Sequence, residues 1–141
     1  MHEPTEENTM PFVRISLLKG KPSDQLQAIA DGVHQALVDT YSVPKDDRFQ
    51  VIDQYEKGTL FYGKRFLDIE RTDDVVLINI LANRWRDTPT RQALYRAIAE
   101  QLSSRTGMRP EDVQVFISNN DTPDWSFGNG IASYVPQDDA V

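Results

Sequence analysis

Arg84-Trp85-Arg86 stands just before Thr88-Pro89, a pair suited to opening a helix. In an extended chain residues 84 and 86 point to one side. Two guanidiniums beside the positive end of a helix form a site for a carboxylate or phosphate; solvated loop charge is the alternative. Lys19 and Lys21 repeat the feature in weaker form in the first half of the chain. Asp47 precedes an apolar run and could position a water or a catalytic amine. It could equally serve its turn, where Asp is favoured, and Asp112 at the matching place in the second half supports that reading. Trp125 and Phe127 flank Ser126 in the stretch Asp124–Gly130 and suit either a ligand-pocket wall or a subunit contact. His34 borders an apolar helical stripe, as a hydrogen-bonded histidine at the core margin would. Arg91, Arg96, Arg105 and Arg109 belong mostly to a solvated helix face.

Composition narrows the chemistry. With no cysteine, and only His2 and His34, the 141-residue chain has no thiolate metal site, no cysteine nucleophile and poor means for a histidine triad. No metal and no cofactor are expected. The formal net charge is −7, which disfavours nucleic acid as a partner. Glu3, Glu6, Glu7, Asp138 and Asp139 carry five of those charges, so the acidity sits mostly in the tails and leaves room for a local arginine site. No apolar run approaches a membrane span and no secretory signal is visible; the expectation is a cytoplasmic protein without membrane contact.

The positioning elements come from an internal repeat. Shifted by 65 residues without a gap, the chain lays Phe12–Ile15 on Leu77–Ile80, Asp47 on Asp112 and Ile52 on Ile117. Each half reads strand, helix, Pro-containing turn, strand. The strands are Phe12–Leu18, Phe49–Asp53, Val75–Ala82 and Val113–Ser118. The first helix runs from Ser23, as N-cap, to about Tyr41. The second has Thr88 as N-cap, Pro89 at its first position and Gly107 as its stop. The expected fold is α+β with α/β-type units: a duplicated βαβ unit forming one four-stranded sheet, with both helices on one face. Residues 1–10 read as a disordered leader, 11–135 as one domain of two repeats (about 11–75 and 76–135), and 136–141 as a loose tail. Residues 54–74 link the halves through a short hairpin or turn, and Ile131–Val135 is a candidate fifth strand. Val75-Val76-Leu77-Ile78 is apolar on both sides, so the sheet face away from the helices should meet another subunit.

Four stretches carry a resemblance over about residues 11–135: Met10-Pro11-Phe12-Val13-Arg14-Ile15, Val43–Gln50 with its DDRFQ, the Arg84–Arg86 turn, and Asp124–Gly130 with its DWSFG. With the duplication, they resemble the tautomerase superfamily of 4-oxalocrotonate tautomerase, and especially its long two-unit members akin to malonate semialdehyde decarboxylase. The resemblance implies a tautomerase/MIF-like homotrimer and a cofactor-free enzyme acting on small oxo or enol carboxylates. The reaction would be keto–enol tautomerisation or decarboxylation of a 3-oxo acid. It implies Pro11 as an amino-terminal catalytic amine and Asp47 as the group that sets its environment or assists a water. Arg84 and Arg86 would bind the substrate carboxylate, with Trp125 and Phe127 as apolar wall. An internal proline nitrogen is an amide without basicity, so this chemistry requires a chain whose first residue is Pro11, through a start at Met10 with removal of that Met, or loss of the leader. Asn119 stands where many relatives carry a glutamate, which argues against dehalogenation or hydration. The alternatives are a non-enzymatic trimeric scaffold or ligand-binding module with Pro11 blocked by its leader, and an unrelated ferredoxin-like sandwich.

Overall fold

The computed structural model describes residues 11–83 and 85–136; the leader, Arg84 and most of the tail (137–141) lie outside the described residues. Apolar alternation builds the central strands. Strand β1 (Pro11–Leu18) buries Val13, Ile15 and Leu17, and β3 (Val76–Ala82) buries Val76, Ile78 and Ile80. Successive side chains on a strand point to opposite faces, so these six share one side of the sheet. Helices α1 (Ser23–Tyr41) and α2 (Thr88–Thr106) cover that side, with Ile29, Val33 and Leu37 meeting Leu94, Ile98 and Leu102 in one core. Each such side chain contributes about 1.5–3 kcal/mol on burial. Gly32, costly in a helix interior, allows the helices to touch: a Cβ there would stand 3.0 Å from Leu102 Cδ1 and 3.2 Å from Gln101 Cβ.

Strands β2 (Gln50–Tyr55) and β4 (Val113–Asn119) complete the sheet, in the order β2-β1-β3-β4. Each βαβ unit pairs its own strands in parallel, β1 with β2 and β3 with β4. The units join through the antiparallel pair β1–β3, whose register sets Pro11 opposite Ala82 and Leu17 opposite Val76. The start of β1 and the end of β3 therefore lie at one end of the sheet.

Local details differ from the sequence expectation. Pro22, not Ser23, is the N-cap of α1, with no side-chain hydrogen bond, and Ser23 is the first helical residue. Asp87, not Thr88, caps α2: its carboxylate accepts from Thr90 N at 3.0 Å, and Thr88 and Pro89 lie in the first turn. Gly107 ends α2 with φ +74°, as expected. Among the described residues Ile131–Val135 forms turns rather than a strand. The turns are closed by Ser133 N donating to Trp125 O and Val135 N donating to Ala132 O. In the 54–74 link the turn, of the two forms expected, is what occurs among the described residues: β2 runs on to Tyr55, Thr59 N donates to Glu56 O at 3.0 Å, and a 3-10 turn covers Phe66–Asp68.

The sheet face away from the helices is half apolar. Phe116 and Val51 are 48% and 37% exposed there, Leu77 and Leu81 are half-buried, and Arg14 pairs with Asp53 at 2.9 Å. The link projects Phe61, Phe66 and Leu67, each at least 66% exposed. Among the described residues no helix is long and apolar enough to cross a membrane.

Candidate active site

Pro11 opens β1 and is buried. It lies between neighbours on both sides: Ala82 of β3 opposite it, and the entry to β2, where Val13 N donates to Phe49 O at 3.0 Å. That parallel register, with Val13 opposite Gln50, draws residues 48–50 alongside residues 11–13 and leaves Asp47 one step before the level of Pro11. Asp47 reaches this place because α1 ends at Ser42 in the left-handed conformation (φ 59°) and a tight turn follows, with Asp47 N donating to Pro44 O at 3.0 Å.

Asp47 is 6% exposed, and neither carboxyl oxygen has a hydrogen-bond partner among the described residues. Burial alone pushes its pKa up to about 7. Its repeat counterpart behaves otherwise. Asp112 closes the same turn (Asp112 N to Arg109 O, 3.0 Å), but its carboxylate accepts from Thr72 N and Thr72 Oγ, both at 2.7 Å, and from Arg109 Nη1 at 3.4 Å. Thr72, outside the turn, and Arg109 within it account for the Asp112 side chain. Nothing comparable accounts for Asp47, whose backbone closes the turn while its side chain takes no part.

Arg86 follows the end of β3, so it shares this end of the sheet. Its Nη2 donates to Tyr41 O, the last carbonyl of α1, at 3.1 Å, and its guanidinium lies 4.4 Å from the centre of the Tyr41 ring. A cation at a helix C-terminus is favoured by the helix dipole. Tyr41 is buried, which raises its phenol pKa, with Arg86 opposing. Arg84 lies outside the described residues. Trp85 is 62% exposed and carries Arg91 over its ring, so it faces away from the core. Lys19 and Lys21, the repeat counterparts of Arg84 and Arg86, sit at the opposite end of the sheet, paired with Glu56 and Asp74.

The aromatic turn closes over the site end. Trp125 stacks on Phe127 with ring centres 5.3 Å apart, and Phe127 meets Phe49 at 5.5 Å and Tyr134 at 5.7 Å. Trp125 Nε1 donates to Asn120 Oδ1 at 2.8 Å, and Asn120 N donates to Ala82 O, the carbonyl of the residue facing Pro11. Asn119 lies beside Ala82 in the β3–β4 register. The structure thus gathers Pro11, Asp47, Arg86, Trp125 and Phe127 at one end of one sheet. Phe49, Tyr41 and Tyr134 join them. Phe49 was available from the sequence, since it lies within DDRFQ, but a lone strand phenylalanine reads as core. Among the described residues no group of three or more His, Asp or Glu side chains could hold a metal ion.

The fold and this end-of-strand constellation define a class: duplicated βαβ proteins with a candidate site where a central strand begins. The sequence matches two family models, both described as tautomerase enzyme, over residues 47–128 and residues 11–68. It is 43% identical over 126 residues to the probable tautomerase YusQ of Bacillus subtilis (strain 168), covering 89% of this chain and 99% of that one. The chain belongs to the tautomerase family. Two solved malonate semialdehyde decarboxylases have the same fold. One, FG41 malonate semialdehyde decarboxylase inhibited by 3-bromopropiolate, is 35% identical with a TM-score of 0.82, over 87% of this chain and 93% of that one. The other is 30% identical with a TM-score of 0.82, over 87% and 95%; its decarboxylase and hydratase activities were studied with a variant whose first-residue proline is alanine. An unrelated ferredoxin-like sandwich is thereby excluded.

Proposed function

We propose that this chain is a cofactor-independent enzyme acting on a small oxo or enol carboxylate, with Pro11 as a free amino-terminal amine. The observation that carries the proposal is the unpartnered carboxyl of Asp47. In the second half, Asp112 is satisfied by Thr72, four residues ahead of β3. The counterpart of Thr72 is Glu7, so a chain starting at Pro11 has no residue to serve Asp47 in that way. Asp47 then faces the proline amine or the substrate. A family model begins its match at residue 11, which agrees with Pro11 as the first residue.

An unperturbed α-amino group titrates near ~7.7–8.0, and an arginine nearby together with apolar rings lowers the value of an amine at this place. The neutral amine takes a proton from the enol hydroxyl or from a carbon beside the carbonyl and returns it at the other position. In decarboxylation of a 3-oxo acid, the protonated amine donates to the ketone or aldehyde oxygen. The bond to the carboxylate carbon breaks, its electron pair forms the enol, carbon dioxide leaves, and a proton completes the product. Arg86, with Arg84, holds the substrate carboxylate, and Trp125, Phe127 and Phe49 exclude water. The half-apolar sheet face and the Phe61–Leu67 projection are covered by further copies of the chain, as a homo-oligomer of three.

Express the chain so that Pro11 is first, verify this by intact mass, and assay phenylenolpyruvate and malonate semialdehyde. Pro11→Ala should lose roughly 10²–10⁴-fold in kcat/KM. Activity unchanged in that variant refutes the proline mechanism.

A further inference from the structure

Residues 44–46 and 48–49 are exposed, yet Asp47 between them is buried. A buried carboxyl without a partner costs free energy, so a loose segment would swing it into water. Ties on both sides of Asp47 prevent this. His34 Nε2 donates to Lys45 O at 2.9 Å; that ring nitrogen must carry the proton, because a carbonyl only accepts. Arg48 Nη2 donates to Asp31 Oδ1 at 2.7 Å, and its Nε to Gln50 Oε1 at 2.8 Å. Gln50 Nε2 in turn donates to Ala30 O at 2.9 Å. Asp31 also accepts from Gln27, and Arg48 holds its carboxyl below the usual range.

The second half supplies a comparison within the molecule. At the positions matching Asp31, His34, Arg48 and Gln50 it has Arg96, Ala99, Val113 and Val115. None can make these bonds. Its own buried acid, Asp112, is fixed by direct hydrogen bonds and needs no clamp. The clamp occurs where the acid has no partner.

We propose that His34, Arg48 and Gln50 are positioning residues that lock the Asp47 segment onto α1 and keep its carboxyl turned into the site. This deepens the reading of Asp47 as a site group and rests on it. The charged and titratable groups around the segment are Asp31, His34 and Tyr41 of α1, Lys45, Asp46 and Arg48 within it, and Arg86 against Tyr41. Removing the Arg48 cation by itself would raise the Asp47 pKa through lost Coulomb attraction. Releasing the segment to water would lower it. The two effects have opposite signs, and that separates positioning from charge.

The test is carboxyl carbon NMR on the full chain, with the Asp47 resonance assigned through Asp47→Asn. In Arg48→Ala the Asp47 midpoint should fall by about one unit or more, from about 7 toward 3.8. His34→Ala and the charge-neutral Gln50→Ala should move it the same way, and they serve if Arg48→Ala does not fold. An unchanged or higher midpoint in folded variants overturns the proposal. On the chain starting at Pro11, Arg48→Ala should lose roughly ten- to a hundred-fold in kcat, with partial rescue in Arg48→Lys. Full activity in Asp47→Asn, with the midpoint still falling in Arg48→Ala, would refute the site role of Asp47 and leave the clamp standing.

Discussion

Asp47→Asn should make the full chain more stable at high pH and change how its stability depends on pH. The unfolded chain ionises this carboxyl near 3.8, whereas the folded chain holds it neutral up to about 7. Between those values the native state binds one proton more than the unfolded state, so stability falls as pH rises. The loss begins near pH 4, accumulates to about pH 7 and is constant above. Three pKa units at about 1.4 kcal/mol each give about 4 kcal/mol. An asparagine pays no such charge penalty. Its buried amide still lacks partners, at a cost of about 1–3 kcal/mol that does not vary with pH. The quantity to measure is therefore the difference between the two proteins at pH 4 and again at pH 8. It is read from urea unfolding at fixed protein concentration, so that contributions common to both cancel. The advantage of the asparagine variant should grow by about 4 kcal/mol from the lower pH to the higher. A difference that stays flat across this window would mean that Asp47 is hydrated or paired in solution, and the argument from an orphaned carboxyl would fail.

Two further predictions concern groups outside the Asp47 segment. Asp112→Ala leaves Thr72 N and its hydroxyl without their acceptor and should cost about 3 kcal/mol in urea unfolding. The Asp47 resonance should not move in that variant, since Asp112 lies at the other end of the sheet; a coupled shift would contradict the two-ended arrangement. If the proposed assembly of three holds, Leu67→Asp, at a 74%-exposed position, should leave the fold intact but lower the molecular mass seen by light scattering from that of three chains toward that of one. An unchanged mass would remove the link from the subunit contact.

The strands and helices were legible because their apolar residues recur at periods of 2 and 3.6, and because one half of the chain confirms the other. The caps were misplaced by one residue, since Ser23 and Thr88 are good capping types but Pro22 and Asp87 occupy the non-helical position before each first turn. Ile131–Val135 has strand composition, but Gly128, Asn129 and Gly130 all take positive φ and fold the chain back on Trp125. The site residues were legible as a set only through motif resemblance. Composition alone could not separate Asp47 from Asp112, which occupy the same turn in the two halves. What separates them is Thr72, forty residues from Asp112 in sequence. No local pattern reports a partner that distant. His34 was readable as a margin histidine, while its bond to Lys45, eleven residues on, needed the helix and the turn placed in space.

The antiparallel seam between β1 and β3 joins two units that residues 56–75 already tether. Its formation is an intramolecular event, with the halves held at an effective concentration on the order of millimolar. In the oligomer proposed above, contacts across the other sheet face would depend on how many chains are present, but this seam does not. Dilution would then strip the copies of such an oligomer from one another while the β1–β3 pairing, and with it the register that sets Pro11 opposite Ala82, is retained. Any activity lost on dilution would then measure what neighbouring copies add, against a constant background set by the chain itself.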